Sequence, residues 1–191
     1  MLENVPRGVG KALRRMRSGA AELVINDAAL HEVKEIIEVT SPVFKGGELL
    51  PTRYTADGEG VSPPLAWRGV PKEAQSVVLL VEDADSPTPN PLVHAIAWDL
   101  PGEDGGLGEE ALRSPATSQS GAKMGRNSYF SAQYLPPDPP AGHGAHRYAF
   151  QVFALNARPS FGNNPGRGKL LTALKEHAIA KGVLVGMYER K

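Results

Sequence analysis

The sequence predicts a mainly β protein with large ordered loops, and three observations carry that prediction. The 191 residues include 21 glycines and 17 prolines, an excess that sets long, stiff connections between apolar runs. Those runs are short, and they either alternate apolar with polar residues or are apolar throughout, as strands do. Few segments show the 3.6-residue period of a helix, which disfavours a helical bundle. The length suits one domain with an appendage, and 41% hydrophobic residues allow a sizeable core.

Charge and cysteine content narrow the function. Lys plus Arg and Asp plus Glu both number 21, giving zero net charge, so a globally basic nucleic-acid surface is not expected. There is no cysteine. Disulfides, thiolate metal sites and a cysteine nucleophile are therefore excluded together. No apolar run reaches the length of a membrane span, and the basic N-terminus lacks the apolar core of a signal peptide. A cytoplasmic protein is expected.

In order along the chain, residues 1–34 read as a basic amphipathic helical arm and 35–191 as the main domain. Within the arm, Val5, Val9, Leu13, Met16, Ala20 and Leu23 recur at spacings of three and four, with Arg7, Lys11, Arg14, Arg15 and Arg17 around them. This pattern predicts a helix over 5–25, although Gly8, Gly10 and Gly19 weaken it. Packing of its apolar stripe on the domain or on a twin subunit is preferred to contact with lipid or nucleic acid.

From Glu35, EIIEVTSPVF reads as a strand stopped by Pro42. Residues 46–71 read as loop, anchored by Leu65 and Trp67. Val77 to Val81 form an apolar strand ending in acids. PLVHAIAWDLPG is a second strand, with His94, Ile96 and Trp98 on one face. Residues 101–130 are polar and glycine-rich and read as a surface excursion. HRYAFQVFAL is a third strand, with His146, Tyr148, Phe150 and Val152 on one face. GKLLTALKEHAIAKG has helical period and a candidate C-cap in Gly182, and VLVGMYER closes as a strand.

Polar groups gather at three strand ends: Asp83 and Asp85 after the first strand, His94 on the second, His146 and Tyr148 on the third. If the strands are neighbours, these groups converge on one cavity stiffened by the prolines of SPTPNP and PPDPP. Apolar walls with a few convergent polar groups describe a small-molecule site. Imidazole and phenol donate to oxyanions, and a carboxylate beside a histidine fixes its tautomer. Taken singly, each residue has a plainer reading. Asp85 before Ser86-Pro87 suits a turn, His94 suits a hydrogen-bonded core position, and His143 among glycines suits a solvated loop. Arg147 alternates with His146 and Tyr148, so it faces away and suits a salt bridge under the loop. HGAH has metal-pair spacing, but short spacing on a glycine loop is weak evidence. No set of nucleophile, base and orienting acid is evident.

In order, TSPVFKGGELLPTRYTADGEGVSPPLAWRGVP, LVEDADSP, HAIAWDLPG, PPDPPAGHGAHRYAFQVFAL and LVGMYER resemble the phosphatidylethanolamine-binding protein family, with the closer similarity to its bacterial, Raf-kinase-inhibitor-like branch. The resemblance runs from Thr40 to Tyr188. It implies an antiparallel β-sandwich of Greek-key type with a few peripheral helices. It also implies a pocket for phosphate, acetate or a phospholipid head group. Carried over by motif, the ligand-binding residues are Asp83, Asp85, His94, His146 and Tyr148, with Pro137, Pro139 and Pro140 shaping the rim. Two positions depart from the family's pattern: Asp83-Ala84-Asp85 replaces Asp-Pro-Asp, and Leu135-Pro136 replaces a glycine pair. Pro136 offers no amide to a ligand.

The resulting expectation is a non-enzymatic binding protein for a small anion, with no cofactor and no metal. Its rivals are a protease or kinase inhibitor that uses the pocket as a docking point and, last, a hydrolase using Asp83 and His94. A homodimer is in keeping with the bacterial relatives.

Overall fold

A computed structural model describes residues 6–113 and 122–190. Its centre is a six-stranded sheet built from β1 (Lys34–Glu35), β4 (Ser76–Asp83), β5 (Leu92–Pro101), β7 (Lys123–Gly125), β8 (His146–Leu155) and β9 (Ala178–Tyr188), in the order β1-β9-β8-β4-β5-β7. All pairings in it are antiparallel except β1 with β9. A second, antiparallel sheet joins β2 (Glu38–Thr40), β3 (Leu65–Arg68) and β6 (Gly105–Leu107). The mainly β sandwich is therefore present, with one parallel edge.

The two sheets enclose one core. Val39, Leu65, Trp67 and Leu107 of the small sheet meet Val77, Leu79, Val81, Phe150 and Val152 of the large one. The opposite face of the large sheet is covered too. Leu23, Val24, Ile25 and Leu30 of the N-terminal segment lie there with Leu170, Ala173 and Leu174 of helix α2 (Arg167–His177). Every residue of β4 is buried as a result. This explains why its sequence is continuously apolar rather than alternating.

The N-terminal segment differs from the single helix expected over 5–25. Helix α1 (Arg7–Leu13) spans seven residues, and three 3-10 turns follow, at Ala20–Glu22, Val24–Asn26 and Ala28–Leu30. Val5 lies outside the described residues. Gly8, Gly10 and Gly19 lower helix propensity, and tertiary bonds replace the lost helical ones. The Ser18 and Gly19 amides donate to the Ser86 and Ala84 carbonyls, while the Val24 and Ile25 amides donate to the Glu82 and Gln151 side chains.

Three other expectations shift. Leu65 and Trp67 are buried anchors, but on a strand of the second sheet. The excursion 101–130 contributes β6 and β7, with 114–121 outside the described residues. Helix α2 stops at His177, and Gly182 lies inside β9 opposite Val152 rather than at a helix end. The Ile37 carbonyl oxygen would lie 1.9 Å from a Cβ at position 182, so glycine there permits the close approach of two backbones.

Candidate functional site

Pairing in the large sheet assembles the site. Asp83 ends β4 directly opposite Tyr148 on β8, and His146 lies two residues before Tyr148 on the same face. His94 arrives there by an irregularity. Val81 pairs with Ala95 and Glu82 with Val93, so His94 is an extra residue in β5. Such a bulge re-aims a side chain. Ile96 and Trp98, which the alternation placed beside His94, belong to the cluster beneath α2. The His94 ring instead stands edge-on to Tyr148, with centroids 5.1 Å apart.

A cavity of about 350 Å³, its open mouth included, lies against these residues. It is narrow, with an enclosed cavity volume of only about 30 Å³. Asp83, His94 and His146 form polar walls, and Pro136, Pro139 and Pro140 form part of the apolar rim. Among the sequence-predicted residues, Asp85, Pro137 and Tyr148 stand outside this lining. Tyr148 lies behind it, 1% exposed, with a hydroxyl that has no hydrogen-bond partner. Burial, and then the Asp83 charge, push its pKa well above the ordinary phenol value, so it stays a neutral donor.

His94 is held at one nitrogen and free at the other. Its Nδ1 donates to the Leu135 carbonyl at 2.6 Å, while its own carbonyl accepts from the Leu135 amide at 2.8 Å. Its Nε2 is buried without a partner. Burial lowers its pKa, opposed by the Asp83 charge and the Leu135 carbonyl. The neutral ring therefore carries its proton on Nδ1 and a lone pair on Nε2.

Asp83 and His146 form a buried pair, Oδ2 to Nδ1, at 2.7 Å, and the Asp85 amide donates to Asp83 Oδ1 at 2.8 Å. Asp85 turns away from the cavity. It accepts from Arg147 Nε at 2.7 Å and Nη2 at 2.8 Å, and pairs with Arg17 at 2.9 Å. Burial alone would raise its pKa, but the bonds from Arg147 and Arg17 outweigh this and hold it at about 2. The salt bridge foreseen for Arg147 is thus with Asp85, beneath the loop.

Three residues were missed or misread. His143, expected in solvent, is fully buried. Gly142 and Gly144, at φ +83° and +100°, let the chain turn that side chain inward on both sides. His143 Nδ1 meets His146 Nε2 at 2.6 Å, and its Nε2 meets the carbonyls of Leu13 and Met16 at 2.9 and 3.2 Å. The glycines on either side of it were the available signal. Tyr129 and Asp138 also line the cavity, and Asp138 is ion-paired with Arg190. The HGAH pair is bonded ring to ring, and among the described residues no cluster of three or more His, Asp or Glu could hold a metal.

Comparison with known proteins agrees with this architecture. Residues 40–189 match the family described as Phosphatidylethanolamine-binding protein. The chain is 36% identical over 170 residues to a UPF0098 protein of Aquifex aeolicus, covering 88% of this chain and 97% of that one. The crystal structure of a phosphatidylethanolamine-binding protein homolog, CT736, from Chlamydia trachomatis superposes with a TM-score of 0.74 at 34% identity, over 83% of this chain and 100% of that one. E. coli YbcL, described as a member of the mammalian PEBP family, superposes with a TM-score of 0.74 at 31% identity, over 82% of this chain and 99% of that one. The matched range and the extent of these likenesses lead to one conclusion: the chain belongs to the phosphatidylethanolamine-binding protein family.

Proposed function

We propose that the protein is a non-catalytic binding protein whose cavity holds a small anionic group, such as phosphate or a phosphorylated head group. The observation that carries this reading is the His94 Nε2 atom, buried and unpartnered on the wall of a proline-rimmed cavity. Leaving such an atom without a partner costs about 1–3 kcal/mol, and a hydroxyl on the ligand, donating to Nε2, would recover that. The Tyr148 hydroxyl just behind the wall is a second unpartnered group, and Tyr129 at the mouth adds a third phenol or imidazole within reach. The narrowness of the cavity suits a head group rather than a whole lipid. The Ser86 hydroxyl on the wall bonds to the Asp83 carbonyl, Ser18 and Thr88 rather than to a histidine, which weighs against the hydrolase reading.

The test is a titration with inorganic phosphate at pH 6, followed through the histidine resonances. The reading expects the His94 signals to move at millimolar phosphate. Stationary signals would reject it. Among the described residues no helix is long and apolar enough to cross a membrane. The exposed Phe130 (76%) beside Tyr129 favours a second reading, in which the cavity receives a charged side chain of a protein partner such as a protease or kinase. Pull-down with native protein and with His94→Ala separates the two, because partners that persist without His94 do not dock through the cavity.

A further inference from the structure

We propose that His143 decides what the cavity can bind: it occupies the second nitrogen of His146, withdraws that ring from ligand recognition, and leaves a neutral His94 acceptor, so that the ligand must bring its own proton. This inference rests on the anion-binding reading above and adds the protonation class of the ligand, a singly ionised oxyacid rather than a dianion.

The argument is a count of protons. Carbonyl oxygens only accept, so the contacts of His143 Nε2 with Leu13 and Met16 require a proton on Nε2. The contact between His143 Nδ1 and His146 Nε2 requires a second, and that between His146 Nδ1 and Asp83 a third. An ionised carboxylate with two neutral imidazoles supplies two protons, one on each ring. The chain of three groups therefore holds one proton more, and its net charge is zero. The Asp83 carboxylate touches His146 and not His143, so the added charge lies on the His146 side, against Asp83. His146 then has both nitrogens committed. It lines the cavity but has no proton to give.

The surrounding charges do not alter the count. From the N-terminal segment, Arg17 donates to the His143 and Ala145 carbonyls and pairs with Asp85. From β8, Arg147 is also committed to Asp85, and Tyr148 is a neutral phenol. From the proline loop, Asp138 is paired with Arg190. From β5, His94 presents its lone pair. A dianion entering here would face Asp83 and Asp138 with no Lys or Arg among the described residues of the cavity's walls. A singly ionised phosphate can donate its remaining O–H to His94 Nε2 and accept from a phenol.

Three experiments decide the matter, and the first needs no ligand. Histidine ring-nitrogen spectra of the free protein at pH 7.5 should show protons on His143 Nε2, on His146 Nδ1 and between the two rings. A bare His143 Nε2, or a His146 Nε2 without a shared proton, overturns the proposal whether or not phosphate binds. The second is calorimetry with phosphoethanolamine at pH 8, in buffers of differing ionisation heat. The second phosphate pKa is about 6, so the ligand is then mostly a dianion, and binding should take up about one proton per site. Binding without proton uptake contradicts the proposal. In His143→Leu the freed His146 Nε2–H becomes a donor, so binding at pH 5.5 should tighten by roughly threefold or more. A merely structural residue would weaken binding there. If that variant does not fold, the wild-type spectra still decide.

Discussion

Asp83 and His146, 63 positions apart in the chain, are joined by a buried 2.7 Å hydrogen bond between Oδ2 and Nδ1. The bond ties the end of β4 to the start of β8 at the wall of the cavity. Charge-assisted bonds of this kind contribute about 1.5–3 kcal/mol. Asp83→Asn is expected to lower stability in urea by roughly 2 kcal/mol and to move the His146 ring-nitrogen resonances. Unchanged stability with an unchanged ring spectrum would show that the pair carries no charge.

Tyr148→Phe should separate stability from binding. The hydroxyl is buried without a partner, so its removal should stabilise the free protein by about 1 kcal/mol. Phosphate affinity should fall several-fold at the same time. Loss of stability in thermal melts would mean that the hydroxyl has a partner in the free protein.

Much of the site was legible because its residues sit at strand ends inside short motifs, and strand alternation correctly put Arg147 opposite to His146 and Tyr148. What alternation could not supply was the bulge at His94. An extra residue changes the face of a side chain without changing the sequence pattern. His143 was hidden for a related reason: two glycines with positive φ reverse a loop inward, and glycine in sequence reads only as flexibility. The N-terminal segment was misread because its basic, three-and-four spacing was legible while the buried acceptors that unwind it, Glu82 and Gln151, lie far along the chain.

Acid should reveal the Asp85 cluster. Its carboxyl is held at about 2 in the folded protein, against an unfolded value near 3.9. A depressed carboxylate contributes stability that is complete above the unfolded value and lost as pH falls through the folded one. Stability should therefore drop by about 2 kcal/mol between pH 4 and pH 2. Asp85→Asn should be less stable at pH 7 and should lack that part of the acid limb. An identical limb in the variant would assign it to other carboxyls.

Glu82 anchors the N-terminal segment from beneath. It is fully buried, pairs with Arg167 Nε at 2.6 Å, and accepts from the Val24 amide and from Gln151. Glu82→Leu should destabilise by roughly 3 kcal/mol, because it strands a guanidinium and two buried donors. Hydrogen exchange should show the loss first at Val24. A fully protected Val24 amide in the variant would contradict this.

Gly182→Ala tests the backbone approach behind β9. The Ile37 oxygen would lie 1.9 Å from the new methyl, so β1, β2 or β9 must shift. A loss exceeding about 2 kcal/mol in denaturant titration is expected. A neutral substitution would show that the strands are not so closely packed.

The central claim, that the cavity beside His94 receives a small anion, is tested most directly by a crystal structure grown with phosphate. The account predicts a phosphate in the proline-rimmed cavity with one oxygen within hydrogen-bond distance of His94 Nε2. A cavity that stays free of phosphate at saturating concentration, with His94 Nε2 still unpartnered, would contradict it.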